Sequence, residues 1–385
     1  MRIRKLLQEL CPDGIEYVSL NKVIDYIQPT RFIVDSTDYK SYGIPVLTAG
    51  KTFLLGYTDE VDCVFRSNAD NPVMIFDDFT TSMHWVDFDF KVKSSALKIL
   101  VLKGQDAILR YLYYSIKSLD YSMSESTHER HWISKYSRLE IPLPPLPIQE
   151  EIVRILDEFT ELEVELEAEL EARTKQYEYY RKQLLDFSTG IVGFPHIDKM
   201  LNEFCPDGVN YVCLDNVIDY IQPTKFIVKS TEYKLFGTPV LTAGKTFLLG
   251  YTDEIEGIFN SNHEYPVMIF DDFTTSMHWV DFDFKVKSSA LKILVIKGDN
   301  AILRYLYYSL KTINYPKSES THERHWISKY SKLEIALPPL PIQAEIVRIL
   351  DQFSEYTSSI SQGLPAEIEL RRKQYEYYRN KLLTF

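Results

Sequence analysis

The sequence predicts an α+β protein: two similar mixed α/β globular units joined by an antiparallel coiled coil of two long helices and related by a pseudo-twofold axis. Three observations carry this prediction. Residues 11–157 return at 205–351 with a constant offset of 194 and no gap, and 116 of those 147 aligned pairs are identical. Within each copy, short β-branched and apolar runs punctuated by turn residues give way to a helical pattern. Each copy then ends in a long heptad-like stripe introduced by prolines. Two large equal copies imply a pseudo-twofold object and not a solenoid.

The copies open on CPDG, at Cys11 and Cys205, and whole stretches recur letter for letter: KTFLLGYTDE from Lys51 and Lys245, and TSMHWVDFDFKVKSSALKIL from Thr81 and Thr275. PVLTAG, PVMIFDD and LKILVLKG have the composition of short buried strands, with Gly, Asn-Pro and Asp-Asp between them. AILRYLYYSIKS, from Ala107, has helical spacing and length, and the polar loop SMSESTHERH follows it. The run IPLPPLP then enforces an extended entry. From Ile148 the apolar residues Ile152, Ile155, Phe159, Leu162 and Leu166 follow a four-three alternation, which predicts a helix with a coiled-coil seam. Counted over residues 148–187 it would be about 60 Å long, at ~1.5 Å per residue.

In the second copy the seam reads Ile342, Ile346, Ile349, Phe353, Tyr356 and Ile360, and both helices close on KQYEYYR, at Lys175 and Lys373. The offset there is 198, so the second helix holds four extra residues, among them Gly363 and Pro365. Interior proline costs ~3 kcal/mol in a helix, so a break or kink is expected near 363–365. The segments are therefore 1–147 and 188–341 for the globular units, and 148–187 and 342–385 for the helices. Two such helices lie antiparallel if they hold the two units at opposite ends, as a ruler between two heads.

At 385 residues and 45% hydrophobic content the chain is ordinary globular protein. Its opening, MRIRKLLQELCPDG, carries charge and a turn signal where a secretory leader would be apolar, and no run of about 18 apolar residues occurs. A cytoplasmic location without membrane contact is expected. Cys11, Cys63, Cys205 and Cys213 have neither zinc-ligand spacing nor disulfide-scaffold density, so they are expected to be reduced. A net charge of −12 argues at first sight against a nucleic-acid partner. The charge is uneven, however. Residues 148–187 hold twelve Asp/Glu against five Lys/Arg, while 11–147 give 14 basic against 18 acidic residues and 205–341 give 14 against 16. Globular units this mildly acidic can face DNA if a partner contributes further positive charge.

The order of globular unit, LPPLPIQEEIVRILD and long helix, given twice (Leu143 to Asp157, Leu337 to Asp351), resembles the specificity subunits of type I restriction-modification systems. The likeness runs from about residue 11 to 385. KLLQELCPDG at Lys5 also matches KMLNEFCPDG at Lys199, which gives the chain a circular logic. The resemblance implies that each globular unit is a target recognition domain on double-stranded DNA and each helix a spacer. It further implies two modification subunits that bind S-adenosylmethionine and methylate adenine as partners, with restriction subunits joining a larger complex. The specificity subunit itself has no catalytic residues, metal or cofactor. In one respect the chain departs from a typical member: its two recognition domains are nearly the same.

Enzymatic readings are weaker. A glycine-rich cofactor loop and an Asn/Asp-Pro-Pro-aromatic motif are both missing: Asn71-Pro72 continues into Val73, and Leu143 precedes Pro144-Pro145. Gly50-Lys51-Thr52 and its copy at Gly244 imitate the end of a P-loop, but Pro45 and Pro239 stand where the first glycine belongs. The main alternative is a metal-dependent DNA endonuclease with duplicated domains. Asp78 with Asp89-Phe90-Lys91, and Asp272 with Asp283-Phe284-Lys285, have the form of its metal site, although Asp-Phe-Asp-Phe-Lys also reads as a strand with one polar face.

The candidate DNA-contacting residues are polar, aromatic and basic positions shared by both copies. In the first they are Thr80, Thr81, Ser82, His84, Trp85, Ser124, Ser126, Thr127, His128, Arg130 and His131. Their counterparts are Thr274, Thr275, Ser276, His278, Trp279, Ser318, Ser320, Thr321, His322, Arg324 and His325. Tyr177, Tyr179, Tyr180 and Arg181, with Tyr375 to Arg379, are read as packing or partner-docking residues. Equal domains about a twofold axis read equal half-sites on opposite strands, so the expected target is interrupted and near-palindromic. The copies diverge most at residues 61–70, where Arg66 faces Asn260.

Overall fold

Each copy of the repeat needs a sheet that can bury apolar residues on both faces, and in the computed structural model the Val73–Asp77 strand provides its centre. The structure describes residues 2–48, 52–119, 131–242, 246–313, 324–358 and 363–385. The described chain forms two compact units, Met1–Glu167 with Glu367–Phe385, and Ala168–Ala366.

In the first unit a four-stranded antiparallel sheet runs in the order Ile24–Ile27, Leu97–Leu102, Val73–Asp77, Met83–Val86. Side chains alternate across a strand, so Val73 and Ile75 enter one core with Val86, Phe90, Leu97 and Ile99. Met74 and Phe76 enter the other, with Leu100, Tyr111, Leu112, Trp132 and Tyr136. The first core is closed by a three-stranded sheet, Leu54–Thr58, Ile44–Leu47 and Lys91–Val92, whose last pair is parallel. The second is covered by the Leu109–Ser118 helix and by the start of a long helix, Leu146–Leu184. A short ladder of Tyr17–Ser19 with Glu140–Pro142 holds the proline-rich entry to that helix. Pro147 falls in its first turn, where a missing N–H is tolerated.

The second unit repeats this layout with the same offset: Ile218–Ile221, Leu291–Ile296, Val267–Asp271 and Met277–Val280 form its four-stranded sheet, in register 194 residues on. Its helix Leu340–Ser358 ends before Gly363, and a further helix runs Leu364–Leu383 with Pro365 in its first turn. Both units contain an antiparallel helix pair. In the first, Phe159 stacks on Tyr378 at 5.3 Å, and Arg372 reaches back to Glu163 at 2.5 Å and to Glu167. In the second, Tyr180 meets Phe353 at 5.5 Å and the Tyr356 hydroxyl meets Glu169 at 3.4 Å. The KQYEYYR motifs serve these pairs: Tyr375 packs toward the first core and Tyr177 toward the second.

The seam differs from its sequence pattern. Ile148, Ile152 and Leu156 are fully buried, as are Ile342, Ile346 and Leu350, whereas Leu162 is 42% exposed and Tyr356 46%. Ile360 lies outside the described residues. The first turns follow an i, i+4, i+8 stripe because they face their own sheet, where a straight helix's 3.6 period governs; only further along does a partner helix take over. Replacing Ile152 with Ala should therefore lower stability toward urea by about 2–5 kcal/mol, and Leu162→Ala by less than about 0.5 kcal/mol. Equal losses would restore the strict heptad seam.

Candidate nucleic-acid interface

The fully buried Val73–Asp77 strand carries two carboxylates to its end, and their satisfaction builds the candidate surface. Asp78 is 2% exposed in its side chain and lies 3.4 Å from Lys98, itself 1% exposed. Lys98 also donates to the Gln28 side-chain oxygen at 2.6 Å. The remaining capacity of Asp78 goes to the chain beyond residue 130. Its carboxylate accepts the Trp132 N–H at 2.9 Å, and its carbonyl accepts the His131 N–H at 2.9 Å. Asp272 repeats these contacts with Lys292 (3.7 Å), Trp326 and His325. Burial pushes the Lys292 ammonium below its usual 10.5, against the pull of Asp272.

Beyond Asp78 the chain reverses in a tight turn. The Asp77 carboxylate accepts the Phe79 N–H at 2.8 Å, the Asp77 carbonyl accepts the Thr81 N–H at 3.0 Å, and Thr81 has a left-handed φ of 60°. The Thr80 and Ser82 hydroxyls lie 2.6 Å apart. Thr80 is exposed, and Thr81 and Ser82 are partly so. The second copy holds Thr274, Thr275 and Ser276 in the same turn, with φ 61° at Thr275. Phe79 and Phe273 stand in these turns 40% and 42% exposed. Selecting polar and basic residue types passes over them, and only their flank of buried Asp-Asp hints that an aromatic is left outside.

The other candidates divide. His84 is stacked on Phe53 at 4.1 Å, and burial and the nearby Lys117 ammonium push its imidazole below the ordinary 6.5, which leaves it neutral at pH 7. His278 repeats this against Phe247 and Lys311. Trp85 and Trp279 are half-buried under the guanidinium groups of Arg110 and Arg304, at 4.8 and 4.6 Å. His131 and His325 are buried, at 2% and 4% exposure, and Arg324 is exposed. Ser124, Ser126, Thr127, His128 and Arg130, and Ser318, Ser320, Thr321 and His322, lie outside the described residues. What the fold brings together is the Asp77–Ser82 turn and the point at which the chain returns at His131.

The residues of the endonuclease alternative are spent separately. Asp78 is engaged as above, Asp89 accepts the Ser67 N–H at 3.1 Å and pairs with Arg66, and Lys91 pairs with Glu60 at 2.6 Å. Among the described residues no group of three or more His, Cys, Asp or Glu side chains is placed to hold a metal. Gly50-Lys51 and Gly244-Lys245 lie outside the described residues. No described helix is long and apolar enough to cross a membrane.

Residues 12–176 and 206–370 each match the family model described as the type I restriction modification DNA specificity domain. The Escherichia coli type I restriction enzyme EcoR124I/EcoR124II specificity subunit is 35% identical over 412 residues, covering 97% of this chain and 95% of that relative. Among solved structures, the S subunit of a type I restriction-modification system from M. genitalium aligns with a TM-score of 0.63 at 15% identity, over 97% of both chains. A chain from a structural study of complex assembly and conformational transition of the type I restriction-modification system aligns with a TM-score of 0.50 at 16% identity, over 97% of this chain and 98% of that one. At such identities these two likenesses are of fold alone.

Two tests follow from the geometry. Asp78→Ala strands Lys98 in the interior and should cost about 3–5 kcal/mol, with much of the loss recovered in Asp78→Asn/Lys98→Met; no recovery would mean that the pair is not the stabilising unit. For Glu60, burial pushes the carboxyl up, but Lys91 and the N–H groups of Ser36 and Asp35 outweigh it and hold it below its ordinary 4.5. Its contribution to stability is then present above pH 4.5 and lost as pH falls through the lower folded value. Glu60→Gln should be less stable at neutral pH and flatter in its acid dependence, as read by urea melts across pH; parallel curves for the two proteins would rule this out.

Proposed function

The chain belongs to the type I restriction modification DNA specificity family and is a non-catalytic specificity subunit with two target recognition domains; from that premise we propose that it binds a bipartite, near-palindromic double-stranded DNA target. On this reading it docks two modification subunits that methylate adenine, with restriction subunits in the larger complex, and acts in the cytoplasm. Segments 1–147 and 188–341 are the recognition domains, and 148–187 and 342–385 the spacers.

The observation that carries the proposal is the repeat itself: two copies alike at 116 of 147 positions, with matching strand registers and matching Asp77–Ser82 and Asp271–Ser276 turns. Equal reading surfaces select equal half-sites. Thr80, Thr81 and Ser82, with Thr274, Thr275 and Ser276, are proposed as phosphate or base-edge contacts. The polar segments that lead to His131 and His325 are proposed beside them, with Phe79 and Phe273 as apolar contacts. His84, Trp85 and their counterparts, together with His131 and His325, support this surface from beneath. The acidic heads fit a complex in which the modification subunits supply much of the positive charge around DNA.

The copies depart from symmetry at residues 61–70. Arg66 pairs with Asp89 in the first head; in the second, Asn260 donates to Asp283 at 3.2 Å and His263 meets Asp281 at 2.9 Å. A bidentate Arg contact discriminates between bases by about 1–3 kcal/mol, so one or two asymmetric positions are expected at most. Methylome sequencing of cells expressing this chain with its modification subunit should return two inverted, nearly equal half-sites separated by a fixed gap. Lengthening both spacers by four residues should widen the gap and leave the half-sites unchanged. Two unrelated half-sites would overturn the symmetric reading.

A further inference from the structure

We propose that the joint between each head and its following helix, closed by Gln149 and Asp157 in the first unit and by Gln343 and Asp351 in the second, sets the gap tolerated between half-sites. The inference rests on the bipartite reading above and adds positioning residues to it.

Gln149 sits in the first turn of the long helix and is fully buried. Its amide oxygen accepts the Ile108 N–H at 2.8 Å, and its amide nitrogen donates to the carbonyls of Pro144 at 2.7 Å and Asp106 at 3.0 Å. One side chain therefore ties the helix to the loop and helix start of its own head. Eight residues on, about 12 Å along the axis, Asp157 makes the second grip. Its Oδ1 accepts Arg110 Nε–H at 2.8 Å and the Tyr114 hydroxyl, while Arg110 is stacked on Trp85. Ile152 and Leu156 fill the space between the grips with no exposure, and Ile148 is equally buried beside the first of them. Two polar anchors at different heights fix both the tilt and the rotation of the helix against the sheet.

The second unit repeats the joint. Gln343 bonds Ile302 N–H at 2.8 Å, Pro338 at 2.7 Å and Asn300 at 3.1 Å, and Asp351 accepts Arg304 Nε–H at 2.8 Å and the Tyr308 hydroxyl. Burying three hydrogen-bonding groups of a glutamine amide is more than packing alone needs, since an apolar side chain would fill the same volume without polar atoms to satisfy. The consequence is leverage. A tilt of about 10° at the joint moves a point about 30 Å along the helix by roughly 5 Å, which exceeds the ~3.4 Å advance per base pair along DNA. A head free to tilt that far would accept neighbouring gap lengths; a head held at two points does not.

The test uses the full chain with its modification subunits and measures methylation of DNA in which the two half-sites, taken from the wild-type methylome, are separated by the native gap or by gaps one or two base pairs shorter and longer. Asp157→Ala with Asp351→Ala removes the outer grip in both units and leaves Gln149 and Gln343 in place. Charge-assisted bonds of this kind shift an equilibrium by about tenfold or more. The double variant should therefore methylate targets one base pair off at least about tenfold better relative to the native gap, with unchanged half-site preference. Tyr114→Phe with Tyr308→Phe removes the tyrosine–aspartate bond of each joint, and with it the 3.3 Å contact of Tyr114 with Thr160, and should relax the gap less, in a chain that keeps its packing. If the Tyr variant, or an assembled Asp variant, discriminates gaps as sharply as wild type, the proposal is overturned. A wild-type complex without any bipartite motif would instead overturn the functional reading on which it stands.

Discussion

Every residue of the Val73–Asp77 strand is buried, and so is every residue of Val267–Asp271. A strand covered on both faces can carry no polar side chain in its middle without a partner, and the two copies meet this with VMIF followed by two aspartates at the end. The alternation of side chains then divides the head into two cores. One core is closed by a small second sheet, and the other must be closed by helices, because Met74 and Phe76 would otherwise face water. The long helix is thus recruited as part of the head's interior before it is anything else, which explains why its first three turns present Ile148, Ile152 and Leu156 to the sheet.

The aspartates at the strand's end convert this packing constraint into a surface. Asp77 cannot leave the turn, since its carboxylate and carbonyl hold Phe79 and Thr81. Asp78 cannot reach water: its charge is met by Lys98, which Gln28 holds in turn, and by the Trp132 N–H, while its carbonyl takes the His131 N–H. Removing one member of such a pair leaves an uncompensated charge in a low-dielectric interior, so all members are kept together. What remains outside is a short rim of hydroxyls and one aromatic ring, with the chain that returns at His131 fastened beside it. Anchoring inside and chemistry outside are consequences of the same two residues.

Where the copies differ, the scaffold does not. Asp89 and Asp283 both accept a backbone N–H from the neighbouring segment, at Ser67 and Ser261, and differ only in the side chain they meet next, Arg66 or Asn260. A serine hydroxyl bonded to two carbonyls, Ser67 to Asn71 and Val86 or Ser261 to Tyr265 and Val280, holds the segment in place in each case. Apart from Val64, which is buried and faces Ile258, divergence in this segment falls on exposed positions of the loop, where surface chemistry can change at little cost to folding.

The duplication, the strands at PVLTAG, PVMIFDD and LKILVLKG, the proline entry to each long helix and the family are legible in the amino-acid sequence, because these are local patterns or exact repeats. The interruption at Gly363 and Pro365 was equally legible, since proline's missing N–H acts at its own position. Which side chains are enclosed and which stay outside was not legible there. Trp85 and His131 have the chemistry of DNA contacts, but Arg110 covers one and burial encloses the other. Lys91 resembles a catalytic lysine until Glu60 is found beside it, 31 residues away in sequence. Leu162 fits a heptad yet stands in solvent. The common reason is that periodicity and residue type report which groups could be buried or paired, while long-range contacts, Gln149 with Ile108 and Asp78 with Trp132 among them, determine which of them are.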